Sequence, residues 1–220
     1  MPARKLTETE IIKKTVAFAR KHHGADPGGH DWYHIERVWK MARKIARIEG
    51  ADLFVVQLAA LLHDVADWKD NGDLQANARA SRRWLRKLGV DNNTIKHVEH
   101  IVSHVSFKGA GVPDKMPSLE GRVVQDADRL DAIGAIAIAR VFAWGATRRR
   151  PIYIPTEKLT LHKSFRSYAR SKPSGIMAFY ERVLLHKNRL HTVTAKNIAG
   201  PRHEFMKAFL KQFFKEWKGK

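Results

Sequence analysis

The apolar residues of this chain recur at the spacing of an α-helix through most of its 220 residues. After His34, apolar side chains follow one another at steps of four, three, four and three, at Val38, Met41, Ile45 and Ile48. This spacing places them on one face of a helix. Asp31 before the segment predicts an N-cap, and Gly50 after it predicts the end of the helix.

The same reasoning predicts further helices along the chain, over 52–62, 73–88, 91–107, 120–144, 174–187 and 194–217. Residues 120–144 are expected to form a buried helix, because their run of small and branched side chains is too long for a strand. Thr194 or Asn197 could cap the last helix, and Gly200-Pro201 could break its first turn. No series of strands with hairpin turns occurs, so the sequence predicts an all-α fold.

The length and composition exclude several classes of protein. A chain of 220 residues favours one domain, over 1–220, with a sizeable core. The absence of cysteine excludes disulfide frameworks, thiolate zinc sites, iron–sulfur clusters and cysteine nucleophiles. No run approaches the roughly 18 apolar residues that a membrane span needs, and the polar N-terminus lacks a signal-peptide core. We therefore expect a cytoplasmic protein outside the membrane.

The positive charge is concentrated in the last third of the chain. The whole chain has 41 basic and 22 acidic residues, a net charge of +19. Residues 145–220 hold 18 basic and 4 acidic residues, a net of +14. Such a field attracts polyanions such as nucleotides, nucleic acid or anionic lipid, unless it is merely a solvated surface. Within it, 145–173 is predicted to be a long basic loop or insert, because arginines occupy 148–150 and prolines 151 and 155.

Four residues are of the types that bind divalent cations and lie in hydrophobic sequence: His34, His63, Asp64 and Asp128. A buried carboxylate costs several kcal/mol unless it is paired or binds a metal. We therefore predict that the four share one cation. His63 and Asp64 are neighbours, and they can both reach one ion if they lie at the end of a helix or if the ion lies between them.

Two more residues fall one helical turn from these candidates. Asp67 follows Asp64 by three residues, where it could touch a water on the metal. Arg37 follows His34 by three, and its guanidinium could hold a phosphate oxygen. The chain lacks the Walker-type phosphate loop, the dinucleotide-binding glycine motif and the nucleophile elbow. These absences weaken three large classes of alternative enzyme.

The pattern of His34, then His63-Asp64, then a distant Asp128 resembles that of the HD-domain metal-dependent phosphohydrolases. The segments GHDWYHIERV at 29–38, AALLHDVAD at 59–67 and VQDADRLDAIGA at 124–135 are similar to a subgroup of small prokaryotic HD proteins, which includes nucleoside-triphosphate pyrophosphohydrolases. FYER at 179–182 and HEFM at 203–206 resemble it too. The basic segment 145–173 is longer and more cationic than this subgroup leads us to expect.

The resemblance implies an HD-domain helical bundle with a divalent-metal site between helices, and hydrolysis of a phosphate ester or anhydride, with a nucleotide as the leading substrate. It implies Mn²⁺ or a similar ion, and the ligand types also allow Mg²⁺, Co²⁺, Ni²⁺, Fe²⁺ or Zn²⁺. It assigns ligand roles to His34, His63, Asp64 and Asp128. Asp67 would orient or deprotonate the attacking water, and Arg37 and Lys69 would bind phosphates.

Several alternatives stay open at this point. The substrate could be a cyclic nucleotide or an oligonucleotide, cleaved by a phosphodiesterase. The basic last third could instead bind nucleic acid, with a vestigial HD site. His97, His100 and His104 share one helical face, where His100 or His104 could recruit a second metal or all three could form a polar stripe. The oligomeric state is not readable from the sequence.

Overall fold

The computed structural model describes residues 4–24, 26–66, 73 and 75–220. These residues form ten α-helices and one 3-10 helix, and no strand. The α-helices of the first half are α1 (Glu8–His22), α2 (Trp32–Glu49), α3 (Leu53–Leu62), α4 (Ala76–Lys87) and α5 (Asn92–His104). Those of the second half are α6 (Leu119–Asp131), α7 (Ala135–Thr147), α8 (Phe165–Arg170), α9 (Gly175–Glu181) and α10 (Val193–Trp217), with the 3-10 helix at Val183–Arg189. The predicted all-α fold is confirmed.

Local sequence sets both ends of α2 as predicted. The Asp31 carboxylate accepts a hydrogen bond from the backbone N–H of His34 in the first turn of the helix. Gly50 ends the helix in the left-handed region, at φ 75°, where a side chain would be strained. Asp52 caps α3 in the same way, through the N–H groups of Phe54 and Val55.

Contacts between Cα atoms divide the chain into two compact units. The first contains α1 to α5 and residues Lys115–Ala127. Its central element is α3, which packs against α1, α2 and α5. Its residues 58–62 are fully buried, which explains why this helix is apolar on every side. The core of this unit therefore determines where the residues after Leu62 lie.

The second unit contains Pro27–Gly29, Phe107–Asp114 and the chain from Asp128 onward. In it α9 packs against α7 and the 3-10 helix, and α10 packs against the same two elements. Phe179 and Met206 are fully buried. Arg129 is also buried, and it forms an ion pair with Asp114. The single domain expected from the length stays a prediction.

The structure contains α1, which was not predicted, and the predicted helix 174–187 ends at Glu181 and is followed by the 3-10 helix. Two further differences occur at glycines. Residues 120–144 are not one helix, because Gly134 adopts φ 102°, a conformation that excludes helix continuation, and α7 starts after it. By contrast, α10 continues through Pro201. Proline normally clashes with the Cβ of the preceding residue when that residue is helical, and Gly200 has no Cβ. The cap of α10 is Thr192, whose side chain accepts from Ala195 N–H, rather than Thr194 or Asn197.

The predicted basic segment contains one short helix. After α7 ends, residues 148–164 have no regular structure, and α8 follows at Phe165–Arg170. Among the described residues no single helix is long and apolar enough to cross a membrane. The pair α6 and α7 reaches that length and composition only when both are counted together, and residues 132–134 interrupt it.

Candidate metal centre

Two of the predicted ligands lie in the turn that ends α3. His63 is the C-cap residue, and residues 63–66 form a turn instead of continuing the helix. Neighbouring side chains on a regular helix point about 100° apart. The turn removes that restriction, so His63 and Asp64 approach each other, with His63 Nε2 3.6 Å from Asp64 Oδ2. His63 is buried, and the Asp64 side chain is 11% exposed.

A third predicted ligand, His34, comes from the first turn of α2. Its side chain is buried, and its Nε2 lies 3.6 Å from the same oxygen, Asp64 Oδ2. The Asp31 cap fixes the backbone of His34 at this point. The packing of α2 against α3 therefore brings together residues that are separated by about 30 positions in the sequence.

The hydrogen bond of His63 identifies the nitrogen that is available for a ligand. His63 Nδ1 lies 2.8 Å from the carbonyl oxygen of Ala60. A carbonyl oxygen only accepts, so Nδ1 carries the proton and donates. In the neutral imidazole, Nε2 then has the free lone pair, and it is the nitrogen that faces Asp64. Metal-binding histidines usually have this arrangement, because the second nitrogen is held by a backbone or carboxylate oxygen.

The geometry favours a cation between these side chains. A nitrogen lone pair and a carboxylate oxygen repel each other at 3.6 Å unless they share a proton or a metal ion. Bonds of about 2.0–2.2 Å from one ion to nitrogen and oxygen ligands place those atoms roughly 3–3.6 Å apart. Ligand atoms of His30, His34 and Asp64 all lie within 4.8 Å of one another. The donor set thus fits a divalent cation of borderline or hard character.

His30 is a residue of this cluster that the sequence analysis did not single out. Its Nδ1 lies 3.7 Å from Asp64 Oδ2, and its ring lies 5.8 Å from that of His34. The carboxylate of Asp26 accepts a hydrogen bond from the backbone N–H of His30 and so positions it. The available signal was its spacing, because His30 precedes His34 by four residues, although α2 begins only at Trp32.

The buried surroundings of the cluster keep a neighbouring histidine neutral. Burial lowers the pKa of His23 to about 4, against the opposing attraction of the Asp64 carboxylate. The neighbouring imidazoles of His63 and His34 lower that pKa further. His23 is therefore uncharged at neutral pH, and it does not compete electrostatically with a bound cation.

The turn that carries His63 and Asp64 is held by Asn77 of α4. The Asn77 side chain is buried, its Nδ2 donates to the carbonyl oxygen of His63, and its Oδ1 accepts from the N–H of Ala66 at 2.6 Å. One amide thus bridges both ends of the turn. No pattern in the sequence indicates this role, since Asn77 lies 13 residues after Asp64 on another helix.

We expect Asn77→Ala to weaken metal binding by about 10- to 100-fold, as loss of an outer-shell contact commonly does. The turn would keep its ligands but lose the amide that fixes their orientation. Isothermal titration of the metal-free protein with MnCl₂ measures the effect. The matched control is Asn93→Ala, because Asn93 is exposed on α5. Equal affinities for the two variants would contradict a positioning role.

Of the other predicted site residues, Asp128 and Arg37 lie on described helices, and Asp67 and Lys69 do not belong to the described residues. Asp128 lies on α6 three residues before its end, is half-buried and belongs to the second unit, so its ligand role stays a prediction. Arg37 is half-buried on α2, one turn after His34. The roles of Asp67 and Lys69 in catalysis and phosphate binding therefore also stay predictions.

The three histidines of the second candidate site lie on α5. His104 Nδ1 contacts the carbonyl oxygen of His100 at 2.8 Å, and the two rings stack with centroids 4.4 Å apart. His97 Nε2 lies 3.7 Å from Glu120 Oε2. In the part of the chain that the structure describes, these side chains are not among the groups whose ligand atoms could share one ion.

Comparison with known proteins gives a consistent picture. The family model of the HD domain matches residues 31–133. The protein YpgQ of Bacillus subtilis is 35% identical over 195 residues, which are 88% of this chain and 87% of YpgQ.

Solved structures agree with this result. A protein of Lactobacillus plantarum has a TM-score of 0.88 at 33% identity, covering 98% of this chain and 100% of that one. An HD-superfamily hydrolase of Bacillus thuringiensis has a TM-score of 0.74 at 40% identity, covering 97% and 100%. YpgQ has been crystallised in complex with ADP, and that structure has a TM-score of 0.70 at 29% identity, covering 93% and 97%.

Proposed function

The chain belongs to the HD domain family, and from that premise we propose that it is a metal-dependent phosphohydrolase acting on a nucleotide. One observation carries the proposal. Three imidazole nitrogens, from His30, His34 and His63, lie 3.6 to 3.7 Å from a single carboxylate oxygen of Asp64. A hydrophobic core gains nothing from such a convergence of polar groups, whereas a divalent cation requires it.

His34, His63 and Asp64 would hold the cation, and the family's motif adds Asp128 as the fourth ligand. A bound divalent cation lowers the pKa of a coordinated water and neutralises charge that develops on phosphate. We propose Mn²⁺ as this ion. Mg²⁺, Co²⁺, Ni²⁺, Fe²⁺ and Zn²⁺ also accept mixed nitrogen and oxygen donors, so they belong in the test.

Other residues would orient the ligands, accept a proton and bind the phosphates. The Nδ1–H of His63 is fixed on Ala60, which keeps Nε2 aimed at Asp64. Asp67 would accept a proton from the attacking water. Arg37 and Lys69 would hold phosphate oxygens and orient the phosphorus for in-line attack.

The substrate proposed is a nucleoside triphosphate. The complex of YpgQ with ADP supports a nucleotide, because YpgQ is 35% identical to this chain. The net charge of +19 favours an anionic substrate as well. Water would attack the α-phosphorus, break its bond to the bridging oxygen, and release pyrophosphate and a nucleoside monophosphate.

The test is a panel of nucleotides and phosphodiesters, each incubated with each of the six divalent ions and analysed by mass spectrometry. We expect monophosphate and pyrophosphate from a nucleoside triphosphate, in the presence of metal only. Orthophosphate together with a nucleoside diphosphate would show that the bond to the γ-phosphorus is cleaved instead. A linear monophosphate from a cyclic nucleotide, or shortened oligonucleotides, would establish a phosphodiesterase. Absence of any product with every ion would refute the enzyme and favour a nucleic-acid-binding protein.

A further inference from the structure

Three arginines surround one tryptophan in the second unit. Trp144 lies near the end of α7, and the guanidinium carbon of Arg150 lies 4.4 Å from the centroid of its ring. The corresponding carbons of Arg182 and Arg148 lie at 5.1 and 5.5 Å. Arg182 follows α9 in the chain, so the cluster joins two segments that are 32 residues apart. We call these three residues and Trp144 the arginine cluster.

No carboxylate of the described residues forms a direct ion pair with Arg148, Arg150 or Arg182 of the arginine cluster. Glu181 is buried nearby, but its Oε2 accepts from Ser171 Oγ at 3.1 Å and lies 3.5 Å from His162 Nε2. Burial lowers the pKa of Arg150, and the charges of Arg182 and Arg148 lower it further, whereas Glu181 and Tyr168 act in the opposite direction.

Arg150 has a structural contact, since its Nη2 donates to the carbonyl oxygen of Ser171 at 3.3 Å, but this bond does not account for Arg148 and Arg182 around the same ring. An indole ring attracts a cation to each of its two faces. A third guanidinium adds repulsion from the other two without a further face to occupy. Arg149, the neighbour of two of these residues, contributes no stacking contact to Trp144 and is exposed. Two of the three consecutive arginines therefore stack on Trp144 and the third does not. In a general basic surface we would expect no such difference among them.

We propose that Arg148, Arg150 and Arg182 form a binding site for a compact oligophosphate anion, such as pyrophosphate or the phosphate chain of a nucleotide. Guanidinium groups match phosphate oxygens through paired N–H donors. The three guanidinium carbons all lie within 5.5 Å of the centroid of the Trp144 ring, which gathers three positive charges in a small volume that suits several negative charges close together. A nucleic-acid backbone carries one charge per phosphate along an extended chain, and its binding sites are accordingly grooves and stripes.

The site goes beyond the proposed hydrolysis, and it can be tested without it. Isothermal titration with inorganic tripolyphosphate, in a chelator and without divalent metal, measures binding when no metal-dependent reaction occurs. The matched pair of variants is Arg148→Gln and Arg149→Gln, because both residues are exposed neighbours and each change removes one positive charge. We expect the first to weaken binding about five- to tenfold and the second less than about twofold.

Arg182→Gln provides a second measurement from another segment, and we expect it to weaken binding at least as much as Arg148→Gln. Thermal unfolding of each variant checks that the fold persists. Equal effects of Arg148→Gln and Arg149→Gln would show that binding depends on the net charge alone, and they would overturn the proposal. So would undetectable binding of tripolyphosphate by the unmodified protein.

Two further ligands distinguish the source of the phosphates. A nucleoside triphosphate that shows the same difference between the Arg148 and Arg149 variants supports recognition of the phosphate chain. Inorganic pyrophosphate with that same pattern supports a free anion. Tighter binding of a single-stranded oligonucleotide than of tripolyphosphate, with equal sensitivity to both variants, would replace the proposal with a nucleic-acid surface.

Discussion

Asp64→Asn is expected to lower metal-dependent hydrolysis by at least about a thousandfold, because loss of a ligand exceeds the 10- to 100-fold cost of losing an outer-shell partner. The change keeps the size of the side chain and removes its charge. The imidazoles of His30, His34 and His63 would then face a neutral amide in place of the oxygen on which they converge. His63→Ala removes one of those nitrogens and is expected to act in the same direction.

Release of pyrophosphate from a nucleoside triphosphate with Mn²⁺ measures the rate, and titration with MnCl₂ measures the affinity. His22→Ala is the control, since His22 is an exposed histidine at the end of α1. Circular dichroism establishes that each variant is folded. Full activity of both Asp64→Asn and His63→Ala would refute the proposed metal centre.

Acidification is expected to destabilise the fold through His186 by about 1.4 kcal/mol per pH unit below pH 6. His186 is buried in the 3-10 helix, and burial lowers its pKa from 6.5 to about 3, assisted by the charges of Arg129, Arg182 and Arg189. Between these two values the unfolded chain binds a proton at His186 and the folded chain does not. The free energy of unfolding therefore falls as the pH falls from 6.5 toward 3.

Urea denaturation between pH 7 and pH 4 measures this slope, and His186→Leu tests its source. Leucine cannot be protonated, and Nδ1 of His186 has no hydrogen-bond partner among the described residues that the change would remove. We expect the variant to be about 3 kcal/mol more stable than the unmodified protein at pH 4, relative to pH 7. His22→Leu, at an exposed position, should leave the slope unchanged. Parallel slopes for His186→Leu and the unmodified protein would contradict this assignment.

Predictions from the sequence succeeded where the deciding interactions are local. Asp31 and Gly50 act within a few residues of the ends of α2, so the sequence contains what is needed to place them. The same local reasoning went wrong at 120–144, because apolar periodicity does not register the positive φ of Gly134. It also overestimated the effect of Pro201, where the preceding glycine removes the usual clash.

The candidate site shows the same division. Hydrophobic context and spacing selected His34, His63 and Asp64, and the structure brings these three together. His30 and Asn77 were missed. Each reaches the cluster through the packing of separate segments, and neither has a local signal strong enough to distinguish it from an ordinary polar residue.

Counting charges in the basic segment does not predict which of its arginines contact Trp144. The sequence shows three consecutive arginines with equal charge and no means of separating them. In the structure, Arg148 and Arg150 stack on Trp144 together with Arg182, whereas Arg149 adopts φ 54° and does not stack on that ring. Only the conformation of the backbone after α7 makes this distinction.

By itself the sequence determined that this chain is all-α, where helices such as α2, α3 and α10 lie, and which residue types were available for metal and phosphate chemistry. Helical periodicity and caps depend on neighbours within about four residues, so the order of the residues specifies them. The tertiary structure alone decided that His30 approaches Asp64, that Asn77 holds the turn, and that Arg182 joins Arg148 on one indole. These contacts join residues far apart in the chain, and their distances follow from how whole helices pack.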